Sequence, residues 1–255
     1  MVTAASSTTA RVLNANLAQR IMSADEAAAL IRSGDQVGMS GFTGSGYPKA
    51  VPIELARRIA EANFRGQKFQ VSVFTGASTG PELDGALAMA GGIHLRLPYQ
   101  SDPETRKRIN AGEMDYMDIH LSHVAQFVEY GFLGKLDVAL IEVTAVLEDG
   151  RLIPSSSIGN NKTSIDQAER VILEVNSWQP AALEGMHDIY YGLQPPPNRG
   201  PIPLVTPGQR IGSPILKSLP KKSWPSFSPT RLIATALLRH PTRPPAASPA
   251  TFSNS

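Results

Sequence analysis

An α/β fold, with a mostly parallel sheet covered by helices on both faces, is predicted by three features of this 255-residue chain. Short runs rich in Val and Ile alternate with segments whose apolar residues recur at helical spacing. The longest run, Leu136–Val146, is apolar almost throughout, which is typical of a strand buried on both faces. Glycine-rich loops follow two of the runs, where open parallel sheets bind ligands.

The elements near the N-terminus are predicted from local signals. Ser23 and Glu26 form a capping-box pattern that begins a helix, and Gly34 is a suitable residue to end it. The helix that follows the first glycine-rich loop is predicted from apolar residues at helical spacing. In chain order these elements are a helix over 23–33, a strand over 35–40, a loop over 41–48 and a helix over 52–62.

The later strands are predicted from β-branched and aromatic runs bounded by turn residues. Six prolines between Gln194 and Pro207 predict an irregular surface segment there. In chain order these elements are a strand over 69–75, a loop over 76–81, a short helix over 84–90, a strand over 136–146, a helix end over 165–170 and a strand over 171–176.

The C-terminal part of the chain differs in composition from the rest. Residues 1–188 hold all 22 acidic residues and 16 of the 24 basic ones, whereas residues 189–255 hold the other eight and no acid. After Lys217 the chain is rich in Pro, Ser and Thr without sustained periodicity, a composition typical of disorder. A flexible basic tail is one interpretation of these residues.

The interpretation that we favour is an out-of-frame tail. For residues 222–253, codons can be chosen so that the shifted frame reads as a strand, an acidic loop and an amphipathic helix. We therefore expect a flexible N-terminus over 1–17, a globular domain over 18–216, and a disordered, out-of-frame tail over 217–255. On this interpretation the protein is truncated.

Composition excludes several classes of function. The absence of cysteine excludes disulfides and thiolate metal sites, and no apolar run approaches the roughly 20 residues of a membrane span. The basic excess is confined to the suspect tail, so we expect neither a nucleic-acid nor a membrane partner. Arg11 and Arg20 in an acid-free N-terminus resemble a transit peptide weakly. We predict a cytoplasmic protein, with a mitochondrial location as the alternative.

The first glycine-rich loop contains Gly41, Thr43, Gly44 and Gly46. Glycines allow backbone N–H groups to approach an anion, and the N-terminus of the helix that follows adds a favourable field. The loop lacks the dinucleotide-binding pattern, because Lys49 stands where glycine or alanine is required, and it lacks the P-loop pattern. A plain turn is the alternative to a ligand-binding loop.

Hydroxyl side chains mark two further positions. Ser78 and Thr79, in the second loop, are candidates to hydrogen-bond a carboxylate, although such hydroxyls also cap turns and helices. Ser101 precedes Asp102-Pro103 and is predicted to be a helix N-cap.

Histidines and buried glutamates give weaker signals. His120 and His123 have a spacing that permits one helix face, but no HExxH pattern surrounds them, and we predict no metal site. His187 fits either acid–base chemistry or a structural hydrogen bond. Glu142 and Glu174 interrupt apolar strands, so each should pair with a cation or a backbone donor, or lie at a strand end near a site.

Six segments resemble the acetyl-CoA hydrolase / acetate (succinyl-CoA:acetate) CoA-transferase family of class I CoA-transferases. The resemblance covers residues 18–216 and implies a NagB/RpiA-like N-terminal domain, the first of two similar α/β domains. Beyond residue 216, the amino-acid sequence typical of the family is also similar to the translation of the shifted reading frame. The matching segments are Ser40–Lys49, Phe74–Gly85, Arg108–Glu113, Asp137–Ala145, Val171–Trp178 and Leu183–Ile189.

The resemblance implies CoA transfer between an acyl-CoA and acetate or another short carboxylate, or hydrolysis of acetyl-CoA. A glutamate and backbone donors from the second half would do the chemistry through a glutamyl-CoA thioester, and both would lie beyond this chain. Ser78 and Ser101 match positions that bind the acid substrate. Coenzyme A thioester is a substrate, no cofactor is implied, and full-length relatives are expected to be dimers. The alternative is a non-catalytic half-domain that binds carboxylate or docks a separate second-half subunit.

Overall fold

The computed structural model describes residues 10–77, 80–190, 192, 197–202, 204–217 and, as backbone, 233–237. The strands in these ranges are β1 Ile21–Met22, β2 Gln36–Met39, β3 Val71–Thr75, β4 Ile93–Leu97, β5 Asp115–Tyr116, β6 Val138–Val146, β7 Leu152–Pro154, β8 Arg170–Val175 and β9 Ile233–Leu237. The helices are α1 Ala15–Ala18, α2 Ala24–Ala29, α3 Ala50–Phe64, α4 Ala86–Met89, α5 Pro103–Asn110, α6 Leu121–Glu129 and α7 Asn161–Gln167. A π-helical turn, Pro81–Gly85, leads into α4, and a 3-10 turn covers Ala181–Leu183.

The strands form one sheet in the order β1-β9-β8-β6-β2-β3-β4-β5. Strand β7 stands outside this order and pairs with β6. Neighbouring strands are parallel at every pairing except the antiparallel β6–β7 pair. Since parallel strands need crossover connections, the helices lie between them in sequence and cover the sheet. The predicted mostly parallel α/β fold is confirmed. None of the helices in the described ranges is both long enough and apolar enough to cross a membrane.

The central strand β6 shows that both faces of the sheet are covered. All nine of its residues are buried. Val138 and Leu140 belong to one apolar cluster, together with residues of α2 and α3, whereas Ala139 and Ile141 belong to a second cluster, with residues of α6 and α7. Alternate side chains of a strand point to opposite faces, so one apolar run supplies both cores.

Local signals explain the two helices that precede and follow the first loop. Ser23 accepts a hydrogen bond from the Glu26 backbone while Glu26 accepts one from the Ser23 backbone, so the predicted capping box is present. The helix ends at Ala29, earlier than the predicted Ser33, and Gly34 lies in a turn with φ of +90°. In α3, Leu55 and other apolar residues face the core.

The C-terminal segment departs from the expectation of disorder in one place. Ile233–Leu237 form β9, which pairs in parallel with β8 over five residues and with β1 over two. The prediction of a disordered tail is therefore wrong for these five residues, because a short apolar run can extend a sheet that has an open strand edge. The rest of the predicted tail, 218–232 and 238–255, lies outside the described residues, as do residues 1–9 of the predicted flexible N-terminus over 1–17. That prediction is wrong for the end of this segment, because α1 begins at Ala15 and Val12 and Leu17 are buried in the core.

Deleting β9 should destabilise the fold. A chain ending at residue 217 leaves the backbone of β8 unpaired on one side and β1 without its neighbour. Loss of the backbone pairing of β9, over five residues with β8 and two with β1, predicts a loss of roughly 2 kcal/mol or more in the free energy of unfolding. Urea denaturation measures this loss, and a chain ending at residue 240 is the matched control. Equal stability of the two truncated chains would contradict the assignment of β9.

Candidate functional site at the carboxyl edge of the sheet

Three loops meet at the carboxyl edge of the sheet, after β2, β3 and β7. Their closest approach involves Gly41, Gly76 and Gly159. A Cβ atom on Gly76 would lie 2.7 Å from the Gly41 carbonyl oxygen and 2.8 Å from the Gly159 Cα, and one on Gly159 would lie 2.7 Å from the same oxygen. Glycine is thus required at two of these positions because backbone stands where a side chain would begin. The glycine junction, as we call these three residues, fixes the loops relative to one another.

Two non-glycine residues in these loops have left-handed backbone conformations. Thr43 has φ of +50° and Ala77 has φ of +63°, and the Thr43 N–H donates to the Ala77 carbonyl oxygen at 2.9 Å. Such conformations are costly for residues with a Cβ atom, and they concentrate at functional sites. The first two loops are therefore joined at a strained point immediately before Ser78.

Tyr47 also links the first loop to the second. Its ring packs directly on Gly80, where an added Cβ would lie 2.4 Å from the ring. The Tyr47 hydroxyl donates to a carboxylate oxygen of Glu82 at 2.6 Å. Burial, together with Glu82, raises the pKa of Tyr47 above its ordinary range, so the hydroxyl stays protonated. Tyr47 thus holds the second loop at Gly80, whereas Thr43 holds it at Ala77.

Glu142 forms a buried ion pair beneath the first loop. Its carboxylate accepts a hydrogen bond from the Lys49 ammonium at 2.7 Å and one from the Ser155 hydroxyl. Its side chain is fully buried, whereas that of Lys49 is 24% exposed. The Lys49 ammonium also donates to the Tyr47 carbonyl oxygen at 2.6 Å. Lys49 therefore fastens the end of the glycine-rich loop to the central strand.

Glu174 occupies the N-terminus of α3. Its carboxylate accepts hydrogen bonds from the backbone N–H groups of Lys49, Ala50 and Val51, at 2.6, 3.2 and 2.9 Å. The sequence-based expectation that this helix N-terminus favours a bound anion is thereby corrected, because a carboxylate of the chain itself already fills the position. Burial raises the pKa of Glu174 to about 7, against the backbone donors, which favour the charged form.

The structure locates the predicted hydroxyl residues only in part. Ser78 and Thr79 lie outside the described residues, although Ala77 and Gly80 on either side are described. Ser101 is exposed, and the prediction that it is an N-cap is wrong. Asp102 is the N-cap of α5, because its carboxylate accepts from the Thr105 N–H at 2.9 Å and Pro103 occupies the first helical position.

The other glycines of the first loop have different surroundings. Gly44 has no atom within 4 Å of an added Cβ, so its position is open. Gly46 has φ of +65° and lies against Ser157, whose hydroxyl donates to the Ser45 carbonyl oxygen at 2.9 Å. The loop is therefore packed at its ends and open at its centre.

The described histidines do not form a group at this site, although His187 contacts its third loop. His120 and His123 place their rings edge to face at 5.5 Å between centroids, at the start of α6. Within the described ranges no group of three or more His, Asp and Glu side chains is arranged to hold a metal ion. The Nε2 atom of His187 lies 2.8 Å from the Ser155 carbonyl oxygen, which is a structural contact.

The third loop, over 155–160, was not predicted from the sequence, and neither were the contacts by which Tyr47 and Lys49 fix the first loop. The loop reads Ser-Ser-Ser-Ile-Gly-Asn and directly follows β7. A run of Ser, Gly and Asn after a strand is a turn signal that was available in the sequence. The partners of Tyr47 and Lys49 carried no such signal, since they lie far away in the chain.

Comparison with known proteins agrees with this fold. The model of the acetyl-CoA hydrolase/transferase N-terminal domain matches residues 6–215. The chain is 47% identical over 203 residues to a succinyl-CoA:acetate CoA-transferase of Clostridium kluyveri, covering 80% of this chain and 37% of that protein. It is 39% identical over 221 residues to an acetyl-CoA hydrolase of Schizosaccharomyces pombe, covering 83% and 42%.

A solved structure supports the fold alone. RipA from Yersinia pestis is similar with a TM-score of 0.50 at 18% identity, over 64% of this chain and 38% of that one. The architecture is thus that of an α/β domain found in larger proteins. On the extent of the family match, the chain belongs to the acetyl-CoA hydrolase/transferase family. It spans about 40% of the length of the two relatives named above.

Substitution at the glycine junction should be costly. In Gly76→Ala the new Cβ would meet backbone on two sides, which cannot move away as a side chain can. We expect a loss of about 1–3 kcal/mol in the free energy of unfolding, measured by urea denaturation. Gly44→Ala is the matched control and should cost much less, because its surroundings are open. Equal effects of the two substitutions would refute the close approach of the three loops.

Glu174 should make stability depend on pH. Its pKa of about 7 in the folded chain exceeds its ordinary value of 4.5, so the folded state binds this proton more tightly than the unfolded state. The free energy of unfolding should therefore rise as the pH falls from 8 towards 5, by at most about 3 kcal/mol from this group.

Denaturation at several pH values tests this contribution. Glu174→Gln should lose this part of the rise, whereas Glu184→Gln, at an exposed position, should keep it. An identical pH dependence in the wild-type chain and in Glu174→Gln would show that Glu174 is not the group responsible.

Proposed function

We propose that this chain supplies the carboxylate-binding half of an enzyme that transfers CoA between an acyl-CoA and a short carboxylate, or hydrolyses acetyl-CoA. The observation that carries this proposal is the meeting of the two predicted loops, joined by the Thr43–Ala77 hydrogen bond, in a chain that matches the family's N-terminal domain. The site lies at the carboxyl edge of a parallel sheet, where such folds bind ligands.

The acid substrate would bind to hydroxyl groups. Ser78 and Thr79 belong to the second loop, whose described residues Ala77 and Gly80 contact Thr43 and Tyr47 of the first loop. Ser101 lies exposed after β4, the neighbour of β3 in the sheet. Hydroxyls can donate to both oxygens of a carboxylate. Gly41, Thr43, Gly44 and Gly46 would then shape the adjoining wall of the site.

The chemistry requires a nucleophile from outside this chain. The family resemblance implies a glutamate that forms a glutamyl-CoA thioester. Glu142 and Glu174 cannot take that role, because both are fully buried and their oxygens accept hydrogen bonds from Lys49, Ser155 and the start of α3. The relatives are more than twice as long as the matched region, so the second half is the expected source.

A second candidate function is docking of a second-half subunit. Phe42, Tyr99 and Trp178 follow β2, β4 and β8, and their side chains are 47%, 54% and 42% exposed. Large apolar side chains exposed along one edge mark interaction surfaces. We propose that this edge contacts the remainder of the longer protein, encoded in the same or a separate chain. The chain alone should then self-associate, which sedimentation velocity would detect.

The purified chain should bind acetate yet catalyse nothing. Incubation with acetyl-CoA and succinate should release no CoA thiol and form no succinyl-CoA above the protein-free blank, because Glu142 and Glu174 are buried and the nucleophilic glutamate is expected from the second half. Acetate binding, followed by amide NMR, should weaken roughly tenfold in Ser78→Ala or Ser101→Ala, each of which removes one hydrogen bond to a charged ligand. Ser33→Ala, at the opposite edge of the sheet, is the control. Turnover by the chain alone would contradict the prediction of no catalysis. An unchanged acetate affinity in both Ser78→Ala and Ser101→Ala would contradict the prediction of acetate binding by these hydroxyls.

A further inference from the structure

Asp84 lies between the loop after β3 and the loop after β4. Its side chain is fully buried in the π-helical turn. One carboxylate oxygen accepts from the Gly80 N–H at 3.1 Å. The other accepts from the Gln100 amide at 2.8 Å and from the Arg96 guanidinium at 2.8 Å. A single carboxylate therefore bonds to both loops at once.

Both contacts fall beside residues that the proposed function uses. Gly80 directly follows Thr79, and Gln100 directly precedes Ser101. The Gln100 side chain continues the connection, because its amide oxygen accepts from the backbone N–H of Asp102. Ser101 is thus bracketed by two residues of the same hydrogen-bonded network, while its own side chain remains exposed.

Arg96 makes this arrangement rigid. Its side chain is fully buried on β4 and supplies the positive charge that a buried aspartate requires. The Asp84 backbone N–H also donates to the Gly80 carbonyl oxygen at 2.8 Å, so Gly80 is bonded to Asp84 in both directions.

We propose that Asp84 is a positioning residue that fixes Ser101 relative to Gly80, the described residue that follows Thr79 in the second loop. This inference rests on the proposed function, in which hydroxyls of this loop and of the loop after β4 bind one carboxylate. Two donors can hold the two oxygens of one ligand only at a set separation, and an error of about 1 Å costs much of the gain. The contacts of Asp84 with Gly80 and Gln100 fix the distance between the described parts of the two loops.

Acetate titration of Gln100→Met, followed by amide NMR, tests the proposal. This variant keeps the side-chain length but cannot donate to Asp84. We expect acetate to bind roughly tenfold more weakly, and an added Ser101→Ala substitution to change the affinity less than about twofold, because the hydroxyl is already displaced. Gln70→Met removes a comparable amide hydrogen bond, to Gly91 at the opposite edge, and there Ser101→Ala should keep its full effect. A full Ser101→Ala effect in the Gln100→Met background would overturn the proposal.

Amide exchange without ligand separates this inference from the proposed function. Asp84→Asn should speed exchange of the Asp102 amide, which Asp84 does not touch, by roughly tenfold or more. The Val71 amide, bonded to Gly92 at the opposite edge, should be unchanged. Faster exchange at Asp102 with unchanged exchange at Val71 supports positioning by Asp84, whether or not the wild-type chain binds acetate. Failure of the wild-type chain to bind acetate would reject only the proposed function. Unchanged protection of the Asp102 amide, or equal loss at both amides, overturns the inference.

Discussion

Two carboxylates buried side by side determine how the carboxyl edge of the sheet is built. Glu142 on β6 and Glu174 on β8 are direct neighbours in the parallel register, and both are fully buried. Neither can remain charged there without hydrogen-bond donors, because an uncompensated buried charge is very costly. Lys49 serves both, with its ammonium on Glu142 and its backbone N–H on Glu174. The end of the glycine-rich loop and the start of α3 are fixed as a result.

The loops above this base depend on it for their strain and close packing. Left-handed conformations at Thr43 and Ala77 persist only where surrounding contacts outweigh their cost. The Lys49–Glu142 ion pair below and the glycine junction above supply those contacts, and the centre of the first loop stays open at Gly44. The edge therefore combines a rigid base with an unfilled surface, which suits a site completed by a substrate and a second polypeptide region.

Local signals in the sequence predicted much of the fold, and long-range contacts explain what they missed. Ser23 and Glu26 are three residues apart, so their capping box can be recognised from the sequence alone. By contrast, β4 contains His94 and Arg96, and these polar residues interrupt the apolar pattern by which a strand is recognised. The structure explains the strand, because Asp84 neutralises the buried Arg96. The glycine-rich loops were recognisable as candidate sites. That Glu174 fills the helix N-terminus was not, because the contact joins residues more than 120 positions apart.

The place of β9 in the sheet also governs the order in which the chain can fold. β1 contains some of the first described residues to be synthesised, yet β9 is the strand it pairs with among the described residues. Domains are made from the N-terminus, so β1 must wait for more than two hundred further residues before that pairing can form. β8 itself is made later, and its backbone edge on that side stays unpaired until β9 follows it. Completion of the sheet is thus a late and non-local step, and such steps are slow.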